Sequence, residues 1–298
     1  MNLPDVKRYV RAWWSAFRAI SLVIAAASCG LGIALAYYDG RGDLLRAVLV
    51  MAAGLFIQSG VNLANDFFEF KQRNIEDKVP HLAIFGRERE VIEWVIFASG
   101  MAFYGLAALI GLYLVWMIGY PLLILGAAGM VGGYFYTGEP FNYKRRGLGV
   151  VLVFFLMGVL MIGGAYYAVS GTLSPRVLWV SIPVSALVSL ILLSNEIRDF
   201  EYDVRHGFRT LTVRAGPGRS RILFYFLAAA AYGGSAVLYA AGLFPHLLFI
   251  YFGLPFLIKP ILSLYKREGR RKQIIPDIML HHLVFSALFI VTYFIPRR

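Results

Sequence analysis

Charge is scarce in this chain. Only 15% of its 298 residues are Asp, Glu, Lys or Arg, while 59% are hydrophobic. An ordinary soluble domain carries about 25% charged residues. The combination excludes a disordered chain, which needs low hydrophobicity and high charge, and it argues against a water-soluble globule. Cysteine is nearly absent. The single Cys29 allows no internal disulfide, and its apolar neighbourhood reads as a small core residue. Ala26-Ala27-Ser28-Cys29 faintly resembles a lipoprotein cleavage site. The apolar run before it is short, starts just after Arg18 and is followed by further apolar segments, so no cleaved signal is expected. The five histidines form no metal-binding spacing, and the adjacent His281 and His282 point to different helix faces and read as packing residues. No glycine-rich phosphate loop ending in lysine is present.

What the chain has instead is long uncharged runs: 19–38, 47–65, 94–138, 147–175, 177–195, 222–258 and 278–296. A bilayer-crossing helix needs about 20 predominantly apolar residues. The run 94–138 holds two spans with a break near Gly119-Tyr120-Pro121. The run 222–258 breaks near Gly242–Pro245, and its second half continues to about Tyr265. The expectation is an all-α, polytopic membrane protein with nine transmembrane helices, one domain over residues 1–298.

Most of the 29 basic residues fall in the segments before span 1 and after spans 2, 4, 6 and 8. That asymmetry puts the N-terminus on the cytoplasmic side of the cell membrane and the C-terminus outside. The net charge of +12 is therefore mostly topological, and no nucleic-acid partner is expected. No obligatory protein partner is evident either. Glycine, 30 residues in all, reads mostly as close helix packing.

The two long loops, 66–92 and 199–220, both read as cytoplasmic and hold most of the scarce acids. At the end of span 2, Asn62, Asn65, Asp66 and Glu69 sit at i, i+3, i+4 and i+7, one helical face. At the end of span 6, Asn195, Asp199 and Asp203 sit at i, i+4 and i+8, again one face. Both spans run inward, so the clusters lie at similar depth. Mg²⁺ takes oxygen ligands and commonly binds through one or two carboxylates plus substrate phosphates. Two opposed carboxylate faces suit ions that clamp a diphosphate. Ionisable groups near membrane depth are costly and mark function more often than not.

These residues resemble those of the UbiA-type intramembrane prenyltransferases. Asn195-x-x-x-Asp199-x-x-x-Asp203, followed by Arg205, Gly207, Thr210-Leu211, Val213-Arg214 and Gly216, looks like that family's second acidic motif. Asn62-Leu-Ala-Asn65-Asp66 looks like its first. Tyr136-Thr137-Gly138-x-Pro140 and Arg146-Gly147-Leu148-Gly149 resemble its loop between spans 4 and 5. The likeness is strongest to the menaquinone branch, the 1,4-dihydroxy-2-naphthoate polyprenyltransferases. The chain departs from the family pattern at Glu69 and Arg73, where aspartates are usual, with Glu76 or Asp77 nearby as substitutes. It departs also at Val150, in an N-terminal stretch without the frequent proline, and over 79–90.

The resemblance implies Mg²⁺-dependent transfer of a polyprenyl group from polyprenyl diphosphate to an aromatic acceptor in menaquinone biosynthesis, on the cytoplasmic side. It implies Asp66, Asp199 and Asp203 as catalytic residues. Those three and Glu69 are the implied metal ligands, and Asn62, Asn65 and Asn195 are amide ligands or supports. Lys71, Arg145, Arg198, Arg209 and Arg214 are the candidate phosphate contacts. Lys144 meets an acceptor carboxylate or a phosphate, and Tyr136 orients the acceptor or stabilises a cation. Other acceptors keep the same chemistry: geranylgeranylglyceryl phosphate, 4-hydroxybenzoate, haem or a chlorophyllide. The rival class is an ion-coupled secondary transporter, whose site would lie nearer the midplane among interrupted helices.

Overall fold

The computed structural model describes residues 10, 13–14, 16–69, 81–84, 87–267 and 270–296. The apolar runs become helices: α1 (Ala19–Tyr38), α2 (Leu44–Glu69), α3 (Val91–Ile118), α4 (Pro121–Tyr134), α5 (Gly149–Ser170) and α6 (Pro175–Arg198). After two short helices, α7 (Phe200–Arg205) and α8 (Leu211–Ala215), come α9 (Pro217–Ala240), α10 (Leu247–Tyr251), α11 (Leu254–Ser263) and α12 (Ile274–Thr292). Among the described residues, seven helices are long and apolar enough to cross a membrane. The sequence reading of nine includes two shorter apolar segments, Pro121–Tyr134 and Leu247–Ser263. At 1.5 Å per residue, α4's 14 residues reach about 21 Å, less than the roughly 30 Å hydrocarbon layer.

The breaks fall where backbone chemistry puts them. Gly119, at φ 112°, ends α3 in a conformation open to glycine, and Pro121 opens α4 at a position that needs no N–H. The all-helical expectation needs one addition. Residues 81–90, read as loop, form an antiparallel hairpin of β1 (His81–Ile84) and β2 (Arg87–Glu90), with His81 opposite Glu90. The alternating charges of Arg87-Glu88-Arg89-Glu90 give no apolar strand pattern, so sequence had no signal for it.

The spans pack closely because glycines let backbones approach. A methyl on Gly32 of α1 would collide with the Ile162 carbonyl oxygen of α5. Helix α6 is the central element and the most enclosed of the spans. Its buried serines bond to backbone, Ser185 to Ser181 O, Ser194 to Leu190 O and Ser189 across to Val150 O of α5, so each hydroxyl is satisfied without water. In α5, residues Phe154–Leu160 widen into a π-helical stretch, a device frequent at functional sites.

The ends of the helices alternate cleanly. The turn after α1 and the turn after α5 meet: Arg176 donates to both oxygens of Asp39 at 2.6 and 2.7 Å, and Tyr166 donates to the same carboxylate at 2.8 Å. The ends of α2 and α6, with their acids, lie at the opposite end, around one cavity.

Candidate active site

The cavity has a volume of about 840 Å³ and two distinct regions. Its polar mouth is lined by Arg18, Glu69, Lys144, Asn195, Arg198, Asp199 and Asp203. Its deeper part is apolar, with Gly54, Gly126, Gly129 and Gly164 set among Ile, Leu, Val and Met side chains. The two acidic clusters, separated by more than a hundred residues in sequence, therefore face one space.

On the α2 side, Asn62, Asn65 and Glu69 line the cavity. Among the described residues, Glu69 pairs with two cations, Arg18 at 3.1 Å and Lys144. Arg18 takes a left-handed backbone at the start of α1 (φ 45°), uncommon for a residue other than glycine. Asn62 is fully engaged: its amide donates to Phe17 O and to Ser21 Oγ, both at 2.7 Å, and its oxygen accepts from Gln58 at 2.9 Å. It pins the start of α1 to α2. Asn65 accepts a 2.5 Å bond from Thr137. Asp66 is buried, and it is not among the residues lining the cavity.

On the α6 side, the helix breaks at Asp199, but bonds of helical spacing bridge the break, from Asp199 N to Asn195 O and from Asp203 N to Asp199 O. The i, i+4, i+8 face thus survives, and Asn195, Asp199 and Asp203 all line the cavity. Arg198 grips Asp199 through two bonds of 2.7 and 2.5 Å. Thr210 donates to Asp203 at 3.3 Å. Burial pushes the Asp203 carboxyl up to about 6, with Lys144 pulling it down and Asp199 pushing it up. Tyr136 lies buried in the cavity wall, its phenol raised well above the ordinary value by burial, with the Lys144 ammonium 5.8 Å from its ring centre.

Three of the predicted cations stand apart. Arg145 lies over the Phe208 ring at 4.6 Å, and Arg209 and Arg214 are exposed, the latter bonded to Arg209 O at 2.9 Å. None of the three lines the cavity. Lys71, Arg73, Glu76 and Asp77 lie outside the described residues.

Two arginines that the sequence reading passed over cap the acid-bearing helices. Arg89 of β2 donates to Phe67 O at 2.5 Å, with its guanidinium 3.9 Å from the Phe67 ring centre. Arg271 donates to Ile197 O at 2.6 Å and pairs with Glu201. Each satisfies a last-turn carbonyl that a helix leaves without a partner of its own. Arg18 and Thr137 were also missed as site residues. Thr137 stands in the quoted Tyr136-Thr137-Gly138 stretch, but spacing alone gives it no partner. Glu196 was visible beside Asn195 and was given no role.

Among the described residues, those at the mouth offer carboxylate and amide oxygens rather than imidazole or thiol, which suits a hard cation. Among the described residues, no three of His, Cys, Asp and Glu converge as a ready cage. That fits Mg²⁺, which usually binds one or two carboxylates and completes its shell with water and substrate phosphates.

The profile of the UbiA prenyltransferase family matches residues 21–284. The chain is 29% identical over 215 residues to the 1,4-dihydroxy-2-naphthoate octaprenyltransferase of Bacillus subtilis strain 168, covering 72% of this chain and 68% of that protein. It is 28% identical over 306 residues to the enzyme of the same name from Haemophilus influenzae, covering 95% and 96%. Its fold matches the solved structure of a UbiA homolog from Archaeoglobus fulgidus bound to DMAPP and Mg²⁺, with a TM-score of 0.65 and 17% identity over 95% of this chain and 97% of that one. With its family match running through both acidic clusters and the apolar helices around them, the chain is an integral membrane prenyltransferase and belongs to the UbiA prenyltransferase family.

Proposed function

We propose that the protein transfers a polyprenyl group from its diphosphate to 1,4-dihydroxy-2-naphthoate, with Mg²⁺, at the cytoplasmic face of the cell membrane. The observation that carries the reading is the division of one cavity into a charged mouth and an apolar interior. A prenyl diphosphate has the same division. Its diphosphate meets Arg18, Lys144 and Arg198 at the mouth, and its tail runs among Gly126, Gly129, Gly164 and their apolar neighbours. The named relatives from Bacillus subtilis and Haemophilus influenzae supply the acceptor.

Glu69 on one wall and Asp199 and Asp203 on the other are the residues to hold Mg²⁺, with Asp66 one turn from Glu69. An ion held there would supply neutralisation of the charge on the departing diphosphate. Arg18 and Lys144, now paired with Glu69, and Arg198, now paired with Asp199, move to diphosphate oxygens when substrate arrives. Such fixed charges aimed at a leaving anion are usually the largest catalytic contribution. The C1–O bond breaks with its electron pair going to the diphosphate. The allylic cation sits beside the Tyr136 ring, whose face favours positive charge. The ring carbon that bears the acceptor's carboxylate attacks it, and the bond from that carbon to the carboxylate breaks, releasing CO₂ and returning its electron pair to the ring. In this reading α4 and α10–α11 also traverse the bilayer, making nine passes with both acidic segments inside.

The test is a transfer assay on purified protein with geranylgeranyl diphosphate and Mg²⁺, offering dihydroxynaphthoate, 4-hydroxybenzoate and geranylgeranylglyceryl phosphate separately. Product with the naphthoate alone, abolished by Asp199→Ala, is the expected result. Product with the glyceryl phosphate alone would move the enzyme to lipid synthesis.

A further inference from the structure

Glu196 is 3% exposed, yet it lines the cavity. Its Oε2 accepts the Thr212 backbone N–H at 2.9 Å. The Thr212 side chain also stands beside this carboxylate, but Oε1 itself is buried with no hydrogen bond of good geometry among the described residues. A buried carboxylate oxygen left without a donor is expensive, and such groups in native structures call for an explanation.

The surroundings describe what is missing. Gly149, at the start of α5, has no side chain, and a methyl there would touch Leu192 Cδ2 at 3.5 Å, Glu196 Oε1 at 3.6 Å and Tyr136 Cε2 at 3.6 Å. An aromatic ring, an aliphatic side chain and a carboxylate oxygen thus converge beside the charged mouth. The first two offer a flat group an apolar contact. The third offers a hydrogen-bond acceptor and repels an anion.

We infer that Glu196 is an acceptor-recognition residue, its Oε1 receiving a hydrogen bond from a ring hydroxyl of the aromatic acceptor seated against Tyr136. The inference rests on the proposed function and deepens it. It assigns the hydroxyl-bearing edge of the acceptor to Glu196 and turns any carboxylate toward the cations of the mouth. A hydrogen bond to a carboxylate also draws the hydroxyl proton away from its oxygen and enriches the ring that must attack the cation. Acceptors with no hydroxyl donor to present leave Oε1 unpartnered and are disfavoured, since a site built to bond a hydroxyl rejects analogues that lack it.

The experiment compares wild type with Glu196→Gln, using dihydroxynaphthoate and each of its two mono-O-methyl ethers as acceptors. The glutamine oxygen can keep the Thr212 bond while an amide replaces Oε1. The expected result is a rise in the KM for dihydroxynaphthoate of about tenfold or more, with the KM for geranylgeranyl diphosphate and its Mg²⁺-dependent thermal protection unchanged. Wild type should discriminate against one methyl ether, and Glu196→Gln should lose that discrimination, the coupling that a double-mutant cycle reads. An unchanged acceptor KM, equal use of both ethers and parent by wild type, or a shift in the diphosphate KM instead would overturn the inference.

If Glu196→Gln does not fold, wild type decides alone: discrimination against one ether supports the inference, and equal use of both ethers and the parent overturns it. If wild type uses only the glyceryl phosphate, the naphthoate reading fails by itself. The inference, which needs a ring hydroxyl, falls with it; where wild type does use the naphthoate, an unchanged acceptor KM in Glu196→Gln rejects the inference alone.

Discussion

Asn62 and Asn65 are three residues apart on one helical face and have different tasks. Asn62 uses its whole amide to fasten the start of α1, so Asn62→Ala should lower stability by about 1–3 kcal/mol, read as a fall in the thermal unfolding midpoint in detergent. A variant as stable as wild type would show those bonds to be dispensable. Glu69 is the opposite case. Its two cation partners mean that the mouth is already charge-paired before substrate binds. Glu69→Gln leaves Arg18 and Lys144 without their carboxylate and takes away a proposed ion ligand. Transfer should drop by about a hundredfold or more, with the unfolding midpoint little moved. Retained activity would remove Glu69 from the machinery. The spacing made both residues legible as a helical face. What each side chain does was not legible, because it depends on Phe17, Ser21 and Lys144, which reach it from other segments.

At the scale of elements, spans 2 and 6 could be read directly. Uninterrupted apolar runs fix their length, and a period of four places their acids on one side. Even the kink at Asp199 does not spoil the pattern, since the bridging hydrogen bonds keep helical spacing. The capping arginines were beyond that reading: Arg89 comes from a hairpin with no apolar alternation, and Arg271 lies 74 residues from the carbonyl it serves. Arg271→Met leaves the buried Ile197 O and the part-exposed Glu201 without this partner. A loss of about 1–3 kcal/mol is expected. Because Glu201 sits between Asp199 and Asp203, the Mg²⁺ concentration for half-maximal transfer should also rise. Lower stability with an unchanged Mg²⁺ dependence would make Arg271 a fold residue only. Close packing gives a further test. Gly32→Ala drives a methyl into the backbone of α5, and overpacking of that kind typically costs about 1–3 kcal/mol. A Gly32→Ala protein with the wild-type unfolding midpoint would mean the α1–α5 contact relaxes freely.

At the scale of the whole molecule, the proposed reaction depends on which end faces the cytoplasm. The Asp39–Arg176 turns lie at one end and the charged mouth at the other. The proposed orientation puts that end inside, on the strength of the surplus of Lys and Arg around the mouth. The chain is well suited to a direct check, because its one cysteine, Cys29, is buried and leaves a silent background. A cysteine at Leu173, exposed in the turn between α5 and α6, should react with a membrane-impermeant maleimide in intact cells. A cysteine at Arg219, exposed in the first turn of α9 at the other end, should react only after the membrane is opened. The reverse pattern would put the acidic mouth outside, where cytoplasmic prenyl diphosphate could not reach it. The proposed reaction would then need a different substrate supply, even with every residue of the site in its place.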